Sequence, residues 1–191
     1  MNPISNRSQW TWALLLGIVV IATRGQHIAT LQGLPDASWA AFFLFGMLIP
    51  LPAALFGLFA LTWGLDAAAL YADGGAAYCI TPAYGFLLPA YAALWIAGRW
   101  FARRYQANGR GAMSASAAVV FGAALCEALS SGGFYFLSGR FDDPTIAEFS
   151  LRFVQYFPTN LMVTAGYIAA TAVVYFTGKT LVQNGRALKR T

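Results

Sequence analysis

The chain has 191 residues, of which 59% are hydrophobic and only 10% charged, with a net charge of +5. A water-soluble domain is nearer half apolar and a quarter charged, so these long uncharged runs exclude an ordinary soluble fold and indicate a polytopic helical membrane protein. The basic residues flank apolar runs and form no stripe with base-stacking aromatics, which excludes a nucleic-acid binder, and two cysteines are too few for a disulfide framework.

The apolar runs are continuous, unlike the short alternating strands of a membrane barrel. One bilayer span takes about 20 mostly apolar residues, and six helices are predicted on that basis. The first covers 8–23, with Trp10 and Trp12 at the interface that indoles favour. It follows a short polar start with Arg7, and no small-residue cleavage site closes it. Residues 38–72 make one apolar stretch too long for a single span. Pro50-Leu51-Pro52 divides it into helices at 38–49 and 52–71, because proline removes a donor and clashes with the preceding turn. The first of these is short and can tilt or pack obliquely. The remaining helices are expected at 83–104, 112–137 and 146–181. Thr81-Pro82 and Asp143-Pro144 suit helix starts, whereas Pro89 and Pro158 fall inside spans and predict kinks.

An even number of helices returns both termini to one side. Arg7, then Arg99, Arg103, Arg104 and Arg110, then Lys179, Arg186, Lys189 and Arg190 all fall there, with no acid among them. By the positive-inside rule that side is cytoplasmic. The chain shows no phosphate-binding glycine loop and no Walker lysine, so an ATPase, if one is used, sits on another chain.

This topology collects unusual residues at the outer end: His27, Asp66, Asp73, Tyr78, Cys79, Tyr84, Arg140, Asp142, Asp143 and Arg152. Cys79 lies in Asp73-Gly-Gly-Ala-Ala-Tyr-Cys-Ile-Thr-Pro-Ala-Tyr-Gly85. Taken alone it is a small apolar filler. Its glycine and alanine neighbours, however, permit close approach of a bulky partner, and a thiolate is a soft metal ligand. His27 alone is an interface histidine. Together they are too few for a four-ligand zinc site, but a metal held by a macrocycle needs only one axial ligand from the protein. Asp66 and Arg152 can pair with each other or cap helices. Glu127, deeper in the fifth helix, is a costly membrane carboxylate that needs a hydrogen-bonding partner, a proton or a ligand. Cys126 reads as core, and the aromatics Phe134, Tyr135, Phe136, Phe153, Tyr156 and Phe157 as core or lipid-facing, some able to wall a large flat ligand.

The ordered set of His27, Asp66 in GLDAAALY, Cys79 and Tyr84 in YCITPAYG, and Arg152 in FSLRFVQYFP resembles the BtuM family of bacterial cobalamin transporters over essentially the whole chain. That family is similar to the S-components of energy-coupling-factor (ECF) transporters, six-helix proteins with an outward-facing vitamin pocket. The resemblance implies cobalamin as substrate, with cobinamide as a second candidate. It assigns Cys79 as axial ligand of the corrin cobalt, with His27, Asp66, Tyr84 and Arg152 lining the site and His27 as candidate second axial ligand. It further implies base-off binding, thiol-assisted removal of cyanide from cyanocobalamin, both termini in the cytoplasm and a site facing the periplasm. An S-component docks on its transmembrane scaffold, which works with ATPases, through Ala-x-x-x-Ala on helix 1. This chain offers only Ala13-x-x-x-Gly17 and then Ile21, so it works alone or uses a scaffold weakly. Two readings from other classes stand beside this one: a membrane enzyme with Cys79 as nucleophile and His27 as base, and a non-catalytic accessory subunit.

Overall fold

The computed structural model describes residues 6–24, 34–73, 81–105 and 108–188. These form six α-helices and a short 3-10 helix: α1 Asn6–Arg24, α2 Ser38–Leu48, α3 Pro52–Asp73, the 3-10 helix Pro82–Phe86, α4 Leu87–Arg104, α5 Gly109–Leu137 and α6 Ile146–Leu188. No strand occurs among the described residues. The chain is all-helical, and three stretches, Pro52–Leu70, Gly109–Leu137 and Ile146–Leu181, are long and apolar enough to cross a bilayer. Phe56, Trp63, Phe121, Val173 and Phe176 stand exposed on them. Such a surface is costly in water and matched in lipid.

Helix α2 takes the opposite role. Its 11 residues rise about 16 Å, roughly half a bilayer's hydrocarbon core. Its sequence, SWAAFFLFGML, has no polar face, and nine of its residues are buried, with Phe42, Phe43 and Leu44 sealed from solvent. It is the central post of the bundle, and α4 packs closely along it. Two glycines permit that approach. A Cβ on Gly46 would lie 1.9 Å from the Trp95 carbonyl oxygen, and one on Gly98 2.0 Å from that of Phe43. Each helix therefore presents a bare backbone to the other, the close-packing device common between membrane helices.

Several boundaries differ from the expected ones for local reasons. Helix α5 begins at Gly109 because Asn108 caps it, its side chain accepting the Gly111 N–H at 3.0 Å. The expected helix from residue 83 is instead a 3-10 turn that hands over to α4 at Leu87. Pro89 then falls in the first turn of α4, where a missing N–H is harmless, and the expected mid-span kink there is replaced by a helix start. Pro158 does lie inside α6, which runs on without a break to Leu188. Cys126 is sealed in the core, as its place in the apolar run implied.

Candidate functional site

The C-terminal ends of α1, α3 and α5 meet the N-terminal ends of α2, α4 and α6 around a cavity of about 610 Å³. That is within the range of small-molecule sites. It has a polar wall, an aromatic wall and one buried carboxylate.

The polar wall is built on Arg24, the last residue of α1. Its Nε donates to Asp66 Oδ1 and its Nη2 to Asp66 Oδ2, both at 2.7 Å. Its Nη1 donates to Ser38 Oγ and to the Tyr91 hydroxyl oxygen, both at 2.9 Å, and reaches Asp36 Oδ2 at 3.4 Å. Parallel donors on one carboxylate fix its plane as well as its position. The Tyr84 hydroxyl, held in the 3-10 turn outside the spanning helices, donates to Asp66 Oδ2. Burial first, and then the Asp66 carboxylate, push that hydroxyl above the usual tyrosine range, so it stays a donor at physiological pH. Tyr91 is anchored in turn by stacking on Phe42, centroids 4.2 Å apart, which ties the wall to the central helix.

The aromatic wall comes from α5, α6 and the loop between them. Tyr135 stacks on Phe149 at 5.8 Å, and Phe134 meets Phe141 edge-on at 6.0 Å. Arg152 lies over the rings of Phe141 and Tyr135, at 5.0 and 5.4 Å, close enough for a cation–π contact. Its guanidinium also donates to Glu148 Oε1 from Nε at 3.1 Å and from Nη2 at 2.7 Å. Glu148 Oε2 accepts the Tyr135 hydroxyl at 2.9 Å. The two walls are thus lined by separate ion pairs, each with its own arginine.

Glu127 lies about 15 Å in from the C-terminus of α5, at 1.5 Å per residue. It lines the same cavity and is 2% exposed. Ser131 Oγ donates to its Oε1 at 2.6 Å, and Asn160 Nδ2 donates to its Oε2 at 2.9 Å.

Asp66, Tyr84 and Arg152, three of the residues singled out in the sequence, therefore line one cavity. Asp66 and Arg152 do not pair with each other, as was considered. Each is held by a partner nearer in the fold, Arg24 and Glu148. His27 and Cys79, together with Tyr78, lie outside the described residues. Arg140, Asp142 and Asp143 occupy the α5–α6 connection and do not line the cavity. The organising residue that sequence reasoning missed is Arg24. Its signal was faint: one arginine closing an otherwise apolar helix at the acidic end of the bundle. Among the described residues no group of three or more His, Cys, Asp or Glu is placed to cage a metal ion.

A second cavity, of about 740 Å³, lies at the other end of the bundle, between Trp12, Phe43, Phe101, Tyr105, Ile168 and Tyr175. Among the described residues no carboxylate lines it, and Asn108, Thr171 and Lys179 are on its wall beside the apolar and aromatic groups.

Models of known protein families and curated protein sequences were both compared with the chain, and none matches. Fold and site together define an all-helical membrane protein with a cavity, part charged and part aromatic, at one end of its bundle.

Proposed function

We propose that this protein takes up cobalamin across a bacterial inner membrane, binding the corrin in the cavity bordered by Asp66, Tyr84 and Arg152, with Cys79 as axial cobalt ligand. In this reading all six α-helices carry the chain from one side of the bilayer to the other, α2 being the shortest of them, both termini are cytoplasmic and the cavity opens to the periplasm.

The observation that carries the proposal is the meeting of Asp66, Tyr84 and Arg152 on one cavity, although they come from three different segments. A corrin is a flat macrocycle with an amide-bearing rim. An aromatic wall suits its faces, and a wall of hydrogen-bonding groups suits its rim. Chain length is compatible with the remaining two ligands. His27 closely follows Arg24, and five residues from Tyr84 back to Cys79 span at most about 18 Å.

The chemistry follows from competition for the cobalt. A thiolate at one axial position displaces the vitamin's own benzimidazole, giving base-off binding. Electron donation from sulfur eases reduction of cobalt. When an external thiol supplies the electron, cyanide leaves the other axial position as the anion, and two such thiols end as one disulfide for every two cobalt centres reduced.

Helix α1 favours a protein that works without a docked scaffold. The place where a Cβ would sit on Gly17 is 3.8 Å from Leu61, so that glycine packs inward on α3. The outward residues Leu14, Leu15, Ile18 and Ile21 are large and exposed, suited to lipid rather than to close helix docking.

The test is the visible spectrum of cyanocobalamin mixed with purified wild-type and Cys79→Ser protein, with and without added thiol. The expected result is a base-off spectrum and cyanide loss in the wild type, and neither in the variant. An unchanged spectrum and unchanged cyanide release in Cys79→Ser would rule out cobalt ligation by that residue. Absence of any corrin binding would favour the enzyme or accessory-subunit readings.

A further inference from the structure

Among the described residues, three of the four carboxylates lining or flanking the cavity have a cationic partner. Asp66 and Asp36 share Arg24, and Glu148 holds Arg152. Glu127 is the exception. It is the most deeply buried of the four, and its hydrogen-bond partners, Ser131 and Asn160, are both neutral. Among the described residues no lysine or arginine pairs with it.

A carboxylate in this position is expensive. It lies on a helix apolar enough to cross a bilayer, where an ionisable group costs several kcal/mol unless a partner compensates it. Tying α5 to α6 through Asn160 does not require it, because a glutamine oxygen would accept the same hydrogen bond without the charge. The carboxyl group thus offers more acceptor capacity than that tie uses. A carboxylate has about four lone-pair sites, and the two bonds from Ser131 and Asn160 leave roughly half of them for a ligand in the cavity that Glu127 lines.

We propose that Glu127 is the ligand-reading acceptor of this cavity: it takes N–H donors from the bound molecule and selects amides over the corresponding carboxylic acids. Ser131 and Asn160 are positioning residues, each holding one carboxylate oxygen. Binding an N–H donor completes the hydrogen bonding of the carboxyl group from outside the protein. A ligand carboxylate at the same point offers no N–H and sets acceptor oxygens against acceptor oxygens.

The choice of probe rests on the corrin reading. Cyanocobalamin and its monocarboxylic acid isomers, each with one rim amide hydrolysed, would be titrated into the full-length protein in detergent. In the wild type, at least one isomer should bind at least about tenfold weaker than the parent amide, a floor well below what a site built for a hydrogen-bond donor can impose on a molecule lacking it. Glu127→Gln should bring that isomer to within a few-fold of the parent, a selectivity change that a purely structural role would not produce. Equal affinity for every isomer in the wild type overturns the proposal, as does a preference that survives Glu127→Gln. If the variant does not fold, the wild-type comparison alone decides. Wild-type protein that binds no corrin at all overturns both the functional reading and this one, and is distinct from corrin binding without selectivity, which overturns only this one.

Discussion

Arg24 and Asp66, from the ends of different helices, are joined by two parallel hydrogen bonds of 2.7 Å. Arg24 is 10% exposed at its side chain and Asp66 23%, so the pair is shielded enough for each charge to depend on the other. Removing one partner strands the other in a poorly solvated place. Arg24→Ala and Asp66→Ala should each lower stability by about 3 kcal/mol. The double variant should lose much less than the sum, because the stranded charge is gone as well. Thermal unfolding of the detergent-solubilised protein measures all three. Additive losses would show that the pair is not the unit holding the polar wall.

The reciprocal glycines predict a different failure. Gly46→Ala and Gly98→Ala each place a methyl where a carbonyl oxygen of the facing helix already stands. Backbone cannot swing aside as a side chain does, so the cost should reach the upper end of overpacking, about 3 kcal/mol. Gly57→Ala, where a Cβ meets nothing, is the control and should not lower the thermal midpoint, since alanine suits a helix interior better than glycine.

Tyr84→Phe removes the hydroxyl that Asp66 accepts. The loss should be about 1 kcal/mol of stability and about tenfold in ligand affinity. The pH dependence has a definite sign. The folded-state pKa of Tyr84 is raised, so its contribution is complete below the unfolded tyrosine pKa of about 10 and fades as pH climbs through the folded value. The gap in melting temperature between wild type and Tyr84→Phe should therefore be constant from neutral pH to about 9 and narrow above about 10. A gap that narrowed on acidification instead would place the titration on another group.

Arg152→Ala separates binding from folding. The Arg152–Glu148 pair is an i,i+4 contact with side chains 40% and 49% exposed, the kind of surface pair that adds little to stability. The variant should melt where the wild type does and yet bind its ligand about tenfold more weakly, as expected for loss of a charge-assisted contact. Equilibrium titration, with circular dichroism as the folding check, tests this. Unchanged affinity would remove Arg152 from the site.

Much of the architecture was legible before any coordinates. The long apolar runs of α3, α5 and α6 have too little charge for water, and Pro50 and Pro52 divide the 38–72 stretch because a proline ring cannot continue a helix. Asp66, Tyr84 and Arg152 stood out as polar groups near the same ends of helices, and they do share a cavity. What escaped was partnership. Arg152 and Glu148 are four residues apart on one helix, but no spacing announces that Arg24, 42 residues away, claims Asp66, and the bare-backbone contacts of Gly46 on Trp95 and of Gly98 on Phe43 depend on how α2 and α4 come together. Nor did composition tell the buried α2 from a lipid-facing helix, since SWAAFFLFGML is as apolar as any membrane helix and only its length hinted at a different role.

The amino-acid sequence by itself determined that the chain is helical, that it belongs with lipid and where its helices break, because hydrophobic burial and proline sterics act along the chain and need no neighbour. Only the tertiary structure decided that Arg24 holds Asp66, that α2 is the sheathed post of the bundle, and that Glu127 has no cationic partner among the described residues. Hydrogen bonds and ion pairs act over about 3 Å, and residues far apart in the chain reach that distance only once the helices have packed.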